Sequence, residues 1–240
     1  MKAIYQPRRD ALEYARLGLN LYGGCSHECI YCYNQDRFTK ACTAQLKKST
    51  LENIRTDLEE LAAAGNKDPV HLCFVGDAYD LGRQDNSYVR KVLRLFRKYD
   101  HPFQVLTKSG VRAVQDFDLY GPNDRFGCTL TFINDVDSLQ WEPGAALWSD
   151  RIEALRQAHD HGIKTWASLE PVIDPAQTLH LIELTHEFVD FYGVGKLNHN
   201  PELEKTIDWP KFRADAEALL KKYGKDYKIK AALASISCLM

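Results

Sequence analysis

Six runs rich in β-branched and aromatic residues, Leu17–Tyr22, Val70–Val75, Phe103–Leu106, Phe126–Phe132, Lys164–Leu169 and Phe188–Val194, are separated by segments with helical periodicity. This alternation constrains the fold more than any other feature, because strands joined through helices pair in parallel with right-handed crossovers. Such a sheet either lies flat and doubly wound or curls toward a barrel. We expect an α/β architecture, a partial (β/α)6 TIM-like barrel, forming a single domain over residues 1–240. In both architectures ligands bind at the carboxyl ends of the strands, so function is sought just after each strand.

The helices carry their own punctuation. Ser49 with Glu52 forms a capping box before Leu51, Ile54, Leu58 and Leu61, and Gly65 suits the stop. Asp174-Pro175 with Gln177 repeats the start signal. Further helices are expected over Tyr88–Tyr99, Ser149–His161 and Trp209–Tyr223, the last between Asp208 and Gly224.

Composition narrows the function classes. With 31 basic and 33 acidic residues the net charge is −2, which leaves no global electrostatic footprint for nucleic acid. No stretch approaches the length of a membrane span and the first residues lack a secretory apolar region, so a cytoplasmic location is expected. Seven cysteines is an odd number, and three fall within eight residues, too tight for a disulfide framework and well suited to a metal.

Those three lie in Gly23-Gly24-Cys25-Ser26-His27-Glu28-Cys29-Ile30-Tyr31-Cys32-Tyr33, directly after the first expected strand. Three thiolates on one tight loop can bind three irons of a cubane and leave the fourth without a protein ligand. Structural zinc is the alternative, with His27 or Cys42 completing a tetrahedron, although no second cysteine pair follows downstream.

The CxxxCxxC spacing with an aromatic before the last cysteine resembles the signature of the radical S-adenosylmethionine (SAM) superfamily, with the cluster loop at 23–45. The context from Arg8 to Tyr33, including Glu13-Tyr14-Ala15 and Leu19-Asn20-Leu21-Tyr22, resembles the spore photoproduct lyase-like group, often labelled DNA repair photolyases. The likeness continues through Gly76-Asp77-Ala78-Tyr79-Asp80, Leu106-Thr107-Lys108-Ser109, Trp141-Glu142-Pro143-Gly144 and Glu170-Pro171-Val172. It implies a 4Fe–4S cluster on Cys25, Cys29 and Cys32, whose open iron takes SAM. It also implies reductive cleavage to a 5′-deoxyadenosyl radical, an electron donor of flavodoxin or ferredoxin type, and a thymine-derived base in DNA as substrate. Modification of another nucleobase or of a peptide would use the same cofactors.

Carried over residue by residue, the resemblance puts Tyr31 beside the adenine and Gly76-Asp77 at the methionine amino group. Asp77 and Ala78 depart from the common Gly-Gly-Glu turn, so that contact comes from a backbone carbonyl or from the Asp77 carboxylate. Lys108 pairs the SAM carboxylate, Thr129 and Thr131 share a face toward the ribose, and Gly193 and Gly195 let backbone approach the adenine. In the lyase, a cysteine just before the turn after the second strand returns hydrogen to the product radical. Here Val75 stands at that place, Cys73 would point the same way about 6–7 Å further down the strand, and Tyr79 is the nearby substitute. The basic run Arg90, Lys91, Arg94, Arg97 and Lys98 reads as a solvated helix face, and His199 after the sixth strand is a further site candidate.

Overall fold

The computed structural model describes residues 2–33, 49–198 and 200–236. Among the described residues eight strands form one sheet in sequence order: β1 (Ile4–Tyr5), β2 (Leu17–Leu19), β3 (Val70–Leu72), β4 (Phe103–Thr107), β5 (Arg125–Thr129), β6 (Lys164–Val172), β7 (Phe191–Lys196) and β8 (Asp226–Ile229). β1 runs antiparallel to β2, and each later neighbour pairs in parallel. Among the described residues no pairing joins β8 to β1 or β2, so the barrel stays open. The expected partial β/α barrel is what forms, and the six expected strands are its centre.

Two edge strands were not expected. β1 is held by the buried Asp57 carboxylate, which accepts from the amides of Ala3 (2.6 Å) and Ile4 (2.8 Å). β8 alternates charged with partly buried residues and gains its order from pairing with β7.

The helices are α1 (Leu51–Ala63), α2 (Ser87–Lys98), α3 (Asp135–Trp141), α4 (Trp148–Asp160), α5 (Pro175–Thr185), α6 (Pro201–Glu204), α7 (Trp209–Lys222) and α8 (Ala231–Ala234). The cap of α1 is Thr50 rather than Ser49: the Thr50 hydroxyl accepts from the Asn53 amide at 3.2 Å. Asp174 and Asp208 cap α5 and α7 as expected, at 3.1 and 3.0 Å. Between β4 and β5 the chain forms a 3₁₀ stretch, Gly110–Leu119, instead of an α-helix. Arg90 of α2 reaches across to it, pairing with Asp116 (2.9 Å) and Asp118 (2.6 Å), so part of the basic run is structural.

Paired positions in a sheet share a face. Thr107, Cys128, Ala167 and Tyr192 lie in one register, and one residue earlier Leu106, Gly127, Trp166 and Phe191 lie on the opposite face. Because the strands from β2 onward are parallel, the segments that follow Leu19, Leu72, Thr107 and Thr129 all emerge at the same end of the sheet.

Candidate functional site

The chain leaves β2 into the cysteine loop, which packs against the segment leaving β3. A Cβ on Gly76 would meet the Gly24 carbonyl oxygen at 2.6 Å, so only glycine permits this approach. Gly144 plays the same part from the other side, where a Cβ would collide with the Ser26 carbonyl. The Gly144 amide donates to the His27 carbonyl at 3.0 Å and the Ile30 amide to the Trp141 carbonyl at 2.8 Å. The loop is thus clamped between Gly76–Asp80 and Trp141–Gly144.

Two buried aspartates tie the clamp together. The Asp80 carboxylate accepts from the Ser26 amide (2.6 Å), the Ser26 hydroxyl (2.5 Å) and the Gly82 amide (2.8 Å). Burial raises the Asp80 pKa, but these bonds to Ser26 and Gly82 outweigh it and hold the group below the usual value. The Asp77 carboxylate accepts from the Thr107 hydroxyl (2.7 Å) and the amides of Tyr79 and Lys108 (2.8 Å each), knotting the ends of β3 and β4 together. Its oxygens are occupied within the fold.

His27 is buried and its Nε2 lies 3.2 Å from the Ser109 hydroxyl, with burial pulling its pKa down. Cys25, His27 and Asp80 come within 4.8 Å of one another. Of the two fourth ligands the zinc alternative offers, His27 has its Nε2 3.2 Å from the Ser109 hydroxyl and its Nδ1 3.7 Å from Asp77, and Cys42 lies outside the described residues. Three thiols on one loop suit an iron–sulfur cluster. Burial pushes the Cys29 thiol up to about 11, and burial with Asp77 and Asp80 nearby pushes Cys25 higher still. Coordinated iron is what would hold such thiols deprotonated.

Beside the loop lies a buried charged group. Glu142 and Arg151 are 2% and 1% exposed and form an ion pair. The Tyr31 hydroxyl donates to Glu142, and the Thr131 hydroxyl reaches the same carboxylate oxygen at 3.3 Å. Arg151 also donates to the carbonyls of Ala146 (2.8 Å) and Thr129 (3.0 Å), which links α4 to the end of β5. Lys108 Nζ lies 5.5 Å from the Tyr31 ring centre. Burial pulls the Lys108 ammonium down, but Cys29 and Glu142 outweigh it and the net direction is up.

Of the expected site residues, Cys25, Cys29, Cys32, Tyr31, Gly76, Asp77, Lys108 and Thr131 therefore share one end of the barrel, and Thr129 closes β5 beneath them. Gly193 and Gly195 lie within β7 rather than after it. Gly195 gives room to the Glu170 carboxylate, whereas Gly193 faces Lys230. Cys73 is not inside the second parallel strand: β3 stops at Leu72 and Cys73 has a left-handed backbone (φ 70°). Tyr79 is fully buried with its hydroxyl 3.1 Å from Asp116, a structural tyrosine. His161 caps α4 through the Gln157 carbonyl, at 2.7 Å. His199, Cys42, Cys238 and residues 34–45 of the expected cluster loop 23–45 lie outside the described residues.

Sequence reasoning missed the weight of Glu142, Arg151 and Asp80. Glu142 and Arg151 are nine residues apart across a helix break, a spacing that no periodicity marks. A carboxylate flanked by Trp141 and Pro143 was the available signal.

An open, mostly parallel β/α barrel with a cysteine loop after its first parallel strand defines a class of cofactor-dependent enzymes that work at the carboxyl ends of their strands. Residues 19–189 match the Radical SAM superfamily, more than half of the chain, and the chain belongs to that superfamily. Its cofactors are those of the superfamily, a 4Fe–4S cluster and SAM. An uncharacterized protein of Methanocaldococcus jannaschii is 29% identical over 188 residues, covering 77% of this chain and 71% of that protein. Among solved structures, a spore photoproduct lyase mutant with bound AdoMet and dinucleoside spore photoproduct superposes with a TM-score of 0.73 at 13% identity, covering 92% of this chain and 78% of that one. SuiB of Streptococcus suis bound to SAM superposes with a TM-score of 0.67 at 9% identity; 88% of this chain matches about half, 49%, of that one. No helix among the described residues is long and apolar enough to cross a membrane.

Proposed function

We propose that the whole chain, residues 1–240, works as one radical SAM domain in which Cys25, Cys29 and Cys32 hold the cluster and leave one iron to SAM. The observation that carries this reading is the convergence of the cysteine loop, Gly76 and the Lys108–Tyr31–Glu142–Arg151 group at the carboxyl end of one parallel sheet. When bound and reduced, cluster and SAM supply a 5′-deoxyadenosyl radical for hydrogen abstraction.

The protein's own residues position and screen. Lys108, on the segment after β4, supplies a point charge for the SAM carboxylate. The Gly76 turn offers its backbone to the methionine amino group, since the Asp77 carboxylate is already engaged. Tyr31 presents its ring toward the adenine with its hydroxyl anchored on Glu142. Thr129, Thr131 and Gly195 form the ribose and adenine side. An electron donor of flavodoxin or ferredoxin type delivers the reducing electron.

The substrate we favour is a thymine-derived base in DNA, taken out of its stack into the barrel mouth. Support comes from the extent of the likeness to the lyase, whose structure holds a dinucleoside photoproduct. Anaerobic reconstitution with iron and sulfide should give brown protein that bleaches on reduction and releases 5′-deoxyadenosine from SAM. Retention of a full cluster after replacing all three cysteines by alanine would sink the assignment.

A further inference from the structure

At the opposite end of the barrel lies a cavity of about 170 Å³ lined by Tyr14, Arg125, Trp166, Phe191, Lys228 and Lys230. Arg125 and Phe191 open their strands and Trp166 stands third in the nine-residue β6, so these three lie toward the amino ends, while Lys228 lies in β8 beside Gly193 and Lys230 follows that strand. The cysteine loop follows a carboxyl end. Between the two sits a buried unit: the Tyr14 hydroxyl donates to Glu170 at 2.8 Å, and Lys230 pairs with Glu170 while lying 3.5 Å from the Tyr14 ring centre.

The lining is mostly cationic and aromatic, with Glu13 its one carboxylate. Lys230 is 4% exposed and its ammonium carries three donors, of which Glu170 takes one, leaving donor capacity for an occupant. At the mouth, Arg125 and Lys228 have no carboxylate within ion-pair distance among the described residues. Lys228 donates only to the Glu13 main-chain carbonyl (3.1 Å), and the Glu13 carboxylate is turned to the Ala231 amide (2.8 Å). Trp166 spends its indole N–H on the Val105 carbonyl at 3.1 Å, so its ring offers a face rather than a donor.

We infer that this cavity is a binding site, separate from the SAM site, for a small planar carboxylate such as an aromatic acid. Cavities of about 150 Å³ accommodate benzene, which fits one ring between Tyr14, Trp166 and Phe191. The acid group is met by the guanidinium of Arg125 and the ammonium groups of Lys228 and Lys230. The site needs neither cluster nor SAM.

Benzoate is the probe, titrated calorimetrically into the anaerobically reconstituted chain, with benzamide as its neutral shape-mate. Benzoate should bind at least tenfold more tightly than benzamide. Arg125→Ala combined with Lys228→Ala, both on the exposed rim, should weaken benzoate at least tenfold and leave SAM affinity unchanged. Lys230→Gln should abolish the preference for benzoate over benzamide. Equal binding of the two probes, no effect of the rim double variant, or competition between benzoate and SAM would each overturn the inference. SAM affinity measured on the same samples keeps such a failure distinct from a failure of the proposed function.

Discussion

Replacing Glu142 by alanine takes the partner from a guanidinium that has almost no access to water. Arg151 is 1% exposed, and without Glu142 it keeps only its bonds to the carbonyls of Ala146 and Thr129, which satisfy donors but not charge. Removing one member of a buried ion pair costs about 3–5 kcal/mol. The two surviving carbonyl contacts place Glu142→Ala near the lower end, at about 3 kcal/mol. Glu142→Gln keeps the shape and an acceptor for Tyr31, and losing the charge alone should cost about 1–2 kcal/mol. The pH dependence follows from the direction of the shift. Burial raises the Glu142 pKa, but Arg151 and Lys108 outweigh it and hold the group below its usual 4.5. Its contribution to stability is therefore complete above 4.5 and is lost as pH falls through the lower folded value. Urea unfolding of the cluster-free chain, in reductant and at pH 7 and 4, measures all three effects. A loss below about 1 kcal/mol for Glu142→Ala at pH 7 would refute the reasoning, because the pair would then not be buried as described.

Lys108→Ala should keep iron content while weakening SAM by about 1–3 kcal/mol, the range for losing a charge-assisted hydrogen bond; unchanged affinity by anaerobic equilibrium dialysis would make it an ordinary lysine. Asp80 is held below its usual 3.8 by Ser26 and Gly82, so its stabilisation is complete above 3.8 and fades below it, and Asp80→Asn should flatten that part of the acid-unfolding profile. An unaltered profile would show that Asp80 does not secure the loop. With dinucleoside spore photoproduct, the chain should release 5′-deoxyadenosine yet repair slowly or not at all; clean multiple-turnover conversion to two thymines, followed by chromatography, would show that a hydrogen donor has been overlooked.

The alternation of strand and helix was legible because each buried parallel strand is a short apolar run, and helix caps mark the segments between. Asp174 and Asp208 cap where the sequence puts them, while the cap beside Glu52 slid by one residue to Thr50, since two adjacent hydroxyl residues offer the same signal. β1 and β8 escaped for a physical reason. One has two residues tied down by Asp57 from a distant helix, and the other, Asp226-Tyr227-Lys228-Ile229, alternates like an exposed segment until β7 supplies its hydrogen bonds.

The cysteine loop could be picked out because ligand spacing is local, and Gly76, Asp77 and Lys108 as candidates because they lie on segments that follow strands. Long-range polar contacts leave no such trace. Glu142 with Arg151, Asp80 with Ser26, and Tyr14 with Glu170 and Lys230 are joined only by the fold. The same limit bears on how a product radical is quenched. Counting along an ideal strand put Cys73 on the same face as Val75, but β3 stops at Leu72, and the left-handed backbone at Cys73 breaks the alternation on which that inference depended. Cys73 and Cys128 are buried in the core, 5% and 0% exposed, and burial pushes the Cys73 thiol up to about 12. Tyr79 is spent on Asp116. Among the described residues, then, Cys73 and Cys128 are packing groups and Tyr79 is engaged by Asp116, so none of these three stands ready to return a hydrogen atom. The slow repair expected above rests on that placement together with the likeness that puts Val75 where the lyase has its cysteine.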